Sequence, residues 1–535
     1  MSKIQKNSSY LNEMSTTDTR TRAQDVSPTS GMCPICIEDC KALCEIGKSA
    51  FRGRETLYPI PDEFGTSTAA SLKDYRLDWS HFNILSQLRS AQGVAEDPDE
   101  ALFTEVDVSS EMGGVPLEVP ISCGAYGSTQ VAKDNWDALA IGTALSGAIL
   151  IVGENVCRMD PEAKFSDGSI EYSEDMEYRI KKFREFQDGE HGDVAVQTNV
   201  EDERLDVESY VISDLGVNII ERKWGQGAKA IGGEVRIDSL ERAKTLKERG
   251  YVVLPDPTDR AVQEGYREGS IKSFERHSRV GMPEKKSFVE DFEGLREKGA
   301  EKVTLKTGAY RPSDVAWTMK VASESEVDYI TFDGAGGGTG MSPVPMMNEM
   351  STPTVYLEAQ VLKSAKILDE EGEYVPDISI AGGFIQETQI LKALALSNYG
   401  DDPYIKSVTM GRSPITAAFK GSYYAELAEK DKLPSTFEDK YGSDVEDFFV
   451  TAEELKEEQG DKYDDIPPGA IAVYTYLSDR IGVGLKQLLA GTRKWDLSLA
   501  NRDDLASLTE RAEEATGIPT VDKIETDVYD KILRD

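Results

Sequence analysis

The stretch "YITFDGAGGGTGMSP", residues 329–343, carries an apolar run to Asp333 and then gives up nearly all its side chains. Glycine is conformationally costly unless the chain needs a positive φ or a close backbone approach. A linker or an idle turn would also read this way, so the flanking pattern decides. Short apolar runs recur at 119–124, 148–153, 194–197, 217–221, 302–306, 327–332, 377–381 and 407–411, alternating with amphipathic stretches of helical period. Eight such βα units predict an α/β fold, a (β/α)8 TIM barrel, with a doubly wound open sheet as the alternative. The helices are expected at "QVAKDNWDALAIGTAL", "SEDMEYRIKKFREFQ", "DVESYVISDL", "SLERAKTLKERG", "PSDVAWTMKVASES", "TVYLEAQVLKSAKILDEEG", "ETQILKALALS" and "SPITAAFKGSYYAELAEK". The quoted stretch then follows the sixth strand, and an insertion separates the fourth and fifth (222–301).

The pattern divides the chain into an extended or disordered tail (1–30), a Cys-rich segment (31–110), the barrel (111–430) and an acidic, helical segment packed on its outside (431–535). Asp and Glu number 97 against 60 Lys and Arg, a net charge of −37. Such a field repels nucleic acid and anionic membranes. The longest apolar run, near 141–153, is too short to span a bilayer, and the N-terminus has no signal-like apolar core, so a cytoplasmic protein is expected.

Four of the six cysteines fall in "CPICIEDCKALC": Cys33, Cys36, Cys40 and Cys44. In a cytoplasmic setting disulfides are disfavoured. Four clustered thiolates can instead surround one metal centre, an iron–sulfur cluster ([4Fe–4S] or another type) or zinc, or they remain unligated.

In a TIM barrel, chemistry sits at the C-terminal ends of the strands. Glu154 follows the second strand there and Gln197 ends the third. Gln226 and Lys229 lie in the loop after the fourth, Lys306 ends the fifth, and Asp333 ends the sixth. Gly382 and Gly383 after the seventh strand, with Gly411 and Arg412 after the eighth, offer backbone N–H groups, a helix N-terminus and a guanidinium to a phosphate. Tight turns and a solvated arginine are the alternative. Lys306 ends an apolar run, where a lysine can neutralise an electron-rich ring or an anionic intermediate. The three histidines form no HxH or HExxH pattern, and no GxSxG elbow or GxxxxGK[ST] loop occurs. "GAGGGTG" is a poor dinucleotide fingerprint, because its glycine spacing and the following "MSPVP" do not predict a helix.

The segments "SCGAYGSTQVAKDNWDALAIG", "VGENV", "VAVQT", "ERKWGQGAKAIGGE", "RHSRVG", "VTLKTGA", "YITFDGAGGGTGMSP" and "LKQLLAGTRKW" resemble, in order, the FMN-binding glutamate synthase family, in its stand-alone form. The resemblance runs over most of residues 100–515. It implies FMN at the strands' C-terminal ends. Gly124, Ala125, Tyr126, Gln197, Gln226 and Lys306 would lie at the isoalloxazine. Gly337, Gly338, Gly382, Gly383, Gly411 and Arg412 would line the phosphate, with Asp333 anchoring its loop or facing substrate. It implies reduction of the imine formed from 2-oxoglutarate and ammonia, giving L-glutamate, with an iron–sulfur centre refilling the flavin. Lys229 and Arg276 would pair with the dicarboxylate, Glu154 would manage the iminium proton, and Lys306 would act beside them.

The chain departs from the family pattern in two places. No cysteine cluster follows the eighth strand, so the N-terminal cysteines would be a relocated electron-transfer centre. The sequence begins Met-Ser-Lys, without a nucleophilic cysteine, so ammonia is expected free or from a glutaminase partner subunit. The alternatives are an FMN oxidoreductase or amine-using synthase (N-methylglutamate synthase-like) on a related 2-oxo or amino acid, or an electron-transfer subunit with an electron-donor partner.

Overall fold

Eight short runs rich in Val, Ile and Leu form parallel strands, each buried on both faces. They are β1 Ile121–Tyr126, β2 Ile149–Val152, β3 Val194–Thr198, β4 Ile219–Lys223, β5 Lys302–Gly308, β6 Tyr329–Asp333, β7 Asp377–Ala381 and β8 Ile405–Met410. In this computed structural model, which describes residues 50, 75–97, 99–225, 227, 231–338, 342–400 and 402–534, they close into a single barrel. The (β/α)8 expectation holds and the open sheet does not. The N-terminal tail, the four clustered cysteines, Gln226 and Lys229 lie outside the described residues.

The two-residue period of a strand sorts the barrel's side chains into two populations. Ile121, Leu150, Val152, Val196, Ile220, Leu305, Phe332, Ile380 and Val408 point outward and join the helices in one large core. Inward residues become more polar toward the C-terminal end. The strand register places Ile149, Ile219 and Tyr329 near the floor, Ser122, Thr304 and Ser379 above them, and Glu221, Thr331 and Thr409 above those. Gln197 and Lys306 come next, just below the mouth.

The floor is closed by a hairpin, Ser110–Met112 with Val115–Leu117. Its Met112, Val115 and Leu117 pack against Ile149, Ile219 and Tyr329. Its Gly113 N–H donates to the Asp377 carboxylate over 2.7 Å. A C-terminal helix, Pro468–Tyr474, packs between the helices Trp136–Leu145 and Arg412–Glu429, on the outside of the barrel. Beyond it, the strand Leu505–Ser507 pairs antiparallel with Phe82–Ile84, which joins segments from before and after the barrel.

Two local expectations need correction. "SLERAKTLKERG" does form a helix, Leu240–Glu248, but it belongs to the insertion. It shares a small core (Ile237, Leu240, Ala243, Leu246, Tyr251, Val253 and Phe274) with the antiparallel sheet Glu234–Ile237, Phe274–His277 and Val252–Leu254. The helix that covers β4 is Lys285–Glu297, whose Phe288, Phe292 and Leu295 enter the main core. "MSPVP" does open a helix, the six-residue Val344–Glu349, with Pro343 at its N-cap. Among the described residues, no helix is long and apolar enough to cross a membrane.

Candidate active site

The C-terminal ends of β3 to β6 gather charged groups in a space otherwise lined by strands. Gln197 of β3 donates from Nε2 to Glu221 Oε1 of β4 at 2.5 Å, with both residues buried. Gln197 Oε1, Glu221 Oε2 and Thr331 Oγ1 are buried with no hydrogen-bond partner among the described residues. Burial pushes the Glu221 carboxyl up, while Lys306, Gln197 and Lys223 pull it down. The Lys306 ammonium stands 3.9 Å from Asp333 Oδ2, too far for a hydrogen bond. Lys306 is only 7% exposed, so its charge lies in a medium where it acts strongly on any ligand at the mouth.

One step outward, Lys223 at the end of β4 pairs with Glu154 from the loop after β2, at 2.5 Å. Asn155 follows with φ +66, a left-handed conformation that Asn tolerates better than most residues. Its N–H donates to Asp202, and its Oδ1 accepts from the Tyr251 hydroxyl at 2.5 Å. Burial raises the Asp202 carboxyl to about 7 against the backbone N–H donors of Asn155 and Asn199.

The other half of the mouth is glycine and backbone. Gly382 and Gly383, with φ +110 and +105, end β7 in conformations that favour glycine. A Cβ on Gly382 would meet Gly334 N at 2.8 Å, and one on Gly337 would meet Asp333 Oδ1 at 2.0 Å. The quoted stretch is therefore glycine-rich because the β6 and β7 loops touch through their backbones. A Cβ on Gly383, by contrast, would meet nothing nearer than Gly336 Cα at 3.9 Å, so space is open there. Gly411 caps the 18-residue helix Arg412–Glu429, whose N-terminus faces the same end of the barrel. Arg412 Nη2 donates to Gly336 O at 2.7 Å, which joins β8 to the β6 loop. Tyr126, at the end of β1, donates to Gly411 O at 2.8 Å, beside Gly124 and Ala125. Gly227, in the loop after β4, lies against Gly334.

The structure thus brings Gln197, Lys306, Asp333, Glu154, the first-strand residues and the β6–β8 glycines to one end of the barrel. Arg276 lies on the insertion sheet and connects to this end through Tyr251 and Asn155. It is 7% exposed, and its Nε has no partner among the described residues. Sequence reasoning missed Glu221, Lys223, Asp202 and Tyr251. A signal for the first two was available, since "ERK" at 221–223 puts three charges at the end of an apolar strand.

The residues present fit FMN. An open space flanked by glycine backbone, a long helix N-terminus and a guanidinium suits a phosphate. Buried, unspent amide and hydroxyl oxygens beside a lysine suit a heteroaromatic ring with donors and an electron-rich edge. Among the described residues, no group of three or more His, Cys, Asp or Glu side chains could hold a metal ion.

Fold and mouth together define a (β/α)8 barrel whose C-terminal face gathers glycine backbone, a helix N-terminus, Arg412 and the buried Lys306. A family model described as the conserved region in glutamate synthase matches residues 115–411. The chain belongs to the glutamate synthase family. No curated protein sequence matches it. Among solved structures, a mutant flavocytochrome b2 with pyruvate bound is similar at 14% identity, over 85% of this chain and 81% of that one, with a TM-score of 0.44. The flavin-binding domain of baker's yeast flavocytochrome b2 is similar at 13% identity, over 85% and 81%, with a TM-score of 0.45. An oxidised active mutant of (S)-mandelate dehydrogenase is similar at 14%, over 80% and 88%, with a TM-score of 0.41.

Proposed function

We propose that this protein is an FMN-dependent oxidoreductase that reduces the imine of 2-oxoglutarate and ammonia to L-glutamate. One observation carries the reading: the β7–β8 cradle of glycines and Arg412 shares a barrel mouth with the buried ammonium of Lys306. Gly382, Gly383, Gly411 and Arg412, with Gly337 and Gly338, would hold the phosphate. Gln197, Lys306 and the Gly124–Tyr126 segment would hold the ring, with Gln226 near it and Asp333 fixing the loop beside it. Bound FMN would supply the hydride that the imine carbon accepts. Ammonia condenses with the ketone and releases water to give the imine; hydride addition to its carbon leaves negative charge on nitrogen, so the protein must also deliver one proton there. Glu154, which pairs with Lys223, would hold that proton. Arg276, with Lys229, would bind carboxylate, and Lys306 would stabilise negative charge at the mouth.

On this reading electrons reach the site through an iron–sulfur centre on Cys33, Cys36, Cys40 and Cys44. Iron and sulfide analysis of Cys36→Ser tests that part separately: iron content should fall, and unchanged iron would remove the centre. The reaction itself is tested by anaerobic turnover with 2-oxoglutarate and a reductant, offering ammonia, glutamine and methylamine in parallel. L-Glutamate from the ammonia arm supports the reading, and N-methylglutamate from methylamine alone would move it to an amine-using synthase. No product in any arm would overturn it.

A further inference from the structure

The insertion between β4 and β5 does more than decorate the barrel. Its arginines grip the loops that follow β2 and β3. Arg242 donates to Met159 O, Arg249 donates to Arg158 O and Asp160 O, and Arg279 pairs with Glu201. At the centre of this contact is Tyr251, a residue of the insertion's small core. Its ring is flanked by two guanidinium groups, with Arg276 4.4 Å and Arg158 4.7 Å from the centroid. Both distances are in the range where an aromatic face attracts a cation.

The two arginines are not equivalent. Arg158 is committed to Glu201 at 2.6 Å, with both side chains buried. Among the described residues, Arg276 donates only to the Ser278 hydroxyl, and its buried Nε has no partner. A buried guanidinium without a carboxylate is costly unless a ligand supplies the anion. The hydroxyl of Tyr251 points elsewhere. It donates to Asn155 Oδ1, and Asn155 is the left-handed residue directly after Glu154. One side chain therefore touches both the group suited to a substrate carboxylate and the turn that presents the candidate proton donor.

We propose that Tyr251 is a positioning residue that sets Arg276 with its ring and Glu154 with its hydroxyl, so that the insertion fixes the distance between carboxylate binding and proton transfer. This rests on the reading of the site given above. The ring contributes to substrate affinity and the hydroxyl to turnover. A merely structural tyrosine would give no such division.

Steady-state kinetics and calorimetric titration with 2-oxoglutarate on full-length wild type, Tyr251→Phe and Tyr251→Leu separate the two roles. Phe keeps the ring, so Y251F should hold KM and calorimetric Kd within about twofold while kcat falls about tenfold. Leu removes the ring too, so Y251L should in addition raise KM and Kd about tenfold. Unchanged kcat in Y251F, or equal KM in all three proteins, overturns the proposal. Should Y251L fail to fold, the Y251F division between kcat and KM decides alone. If the wild type neither binds nor turns over 2-oxoglutarate, the reading of the site fails and takes this proposal with it. A wild type that works while the variants show no division sinks only the proposal.

Discussion

Lys306 gathers the site's electrostatics into one atom. It stands between the Glu221 carboxyl below and Asp333 beside it, yet makes no hydrogen-bond-length contact with Asp333. Its charge is thus available to a ligand, and Lys306→Met should weaken FMN binding by about 10- to 100-fold in a fluorescence titration. Wild-type affinity would remove Lys306 from the site. A second residue makes a prediction in pH. Asp202 rises to about 7 in the fold from an ordinary 3.8, so its stabilising contribution is full below about pH 4 and is lost as pH rises through 7. The stability of wild type relative to Asp202→Asn should therefore fall between pH 4 and 7, by at most about 1.4 kcal/mol per pH unit, and then level off. A difference independent of pH would mean Asp202 does not titrate there. The sequence showed Lys306, Gln197 and Asp333 because each ends an apolar run. Glu221 stayed hidden inside "IIERK", where only the barrel's closure reveals that Glu221 and Lys223 face inward while Arg222 faces out to Glu208 and Asp291.

At the scale of elements, the strand ends of β6 and β7 act as a pair of touching backbones. The two glycines after β7 should respond differently to a methyl group. Gly382→Ala collides with Gly334 and adds positive-φ strain, and should lower both melting temperature and FMN affinity. A methyl on Gly383 meets only Gly336 Cα, at 3.9 Å. It should cost about 1–2 kcal/mol of backbone strain while weakening FMN disproportionately, because the methyl would enter the proposed phosphate site. Equal effects on stability and affinity at Gly383 would contradict the cradle. The strands and the glycine turns were readable because short apolar runs and glycine clusters are local signals. The helix covering β4 was not, since Leu240–Glu248 and Lys285–Glu297 are both amphipathic. Periodicity shows that a face is buried, but not which core buries it. Nor could sequence foresee that Tyr251 and Arg276, 25 positions apart, would stack beside the β2 loop.

The whole molecule carries 37 net negative charges, and the arginine cluster between insertion and barrel is a local exception to that field. Mutual repulsion of this size destabilises a compact state and is screened by salt. The melting temperature should accordingly rise with KCl between about 0.1 and 2 M; a fall or no change would show that the charge is already compensated within the fold. The C-terminal segment should also prove integral to the barrel. Deleting residues 466–535 would uncover the partners of Ile471, Val473, Leu477, Ile481, Leu485 and Leu489, all buried, so the shortened chain should aggregate. A monomeric product with unchanged melting would contradict that packing. Family membership and barrel architecture were both legible in the ordered motifs, whereas the insertion's role required the fold. The claim on which the rest depends is that the barrel mouth holds FMN. Its most direct measurement is the identity and stoichiometry of flavin released on denaturing the purified full-length protein, with titration of added FMN into any flavin-free fraction. The account predicts a yellow protein that releases FMN at about one per chain, by the one-site geometry of such barrels. A colourless protein that fails to bind added FMN would contradict it.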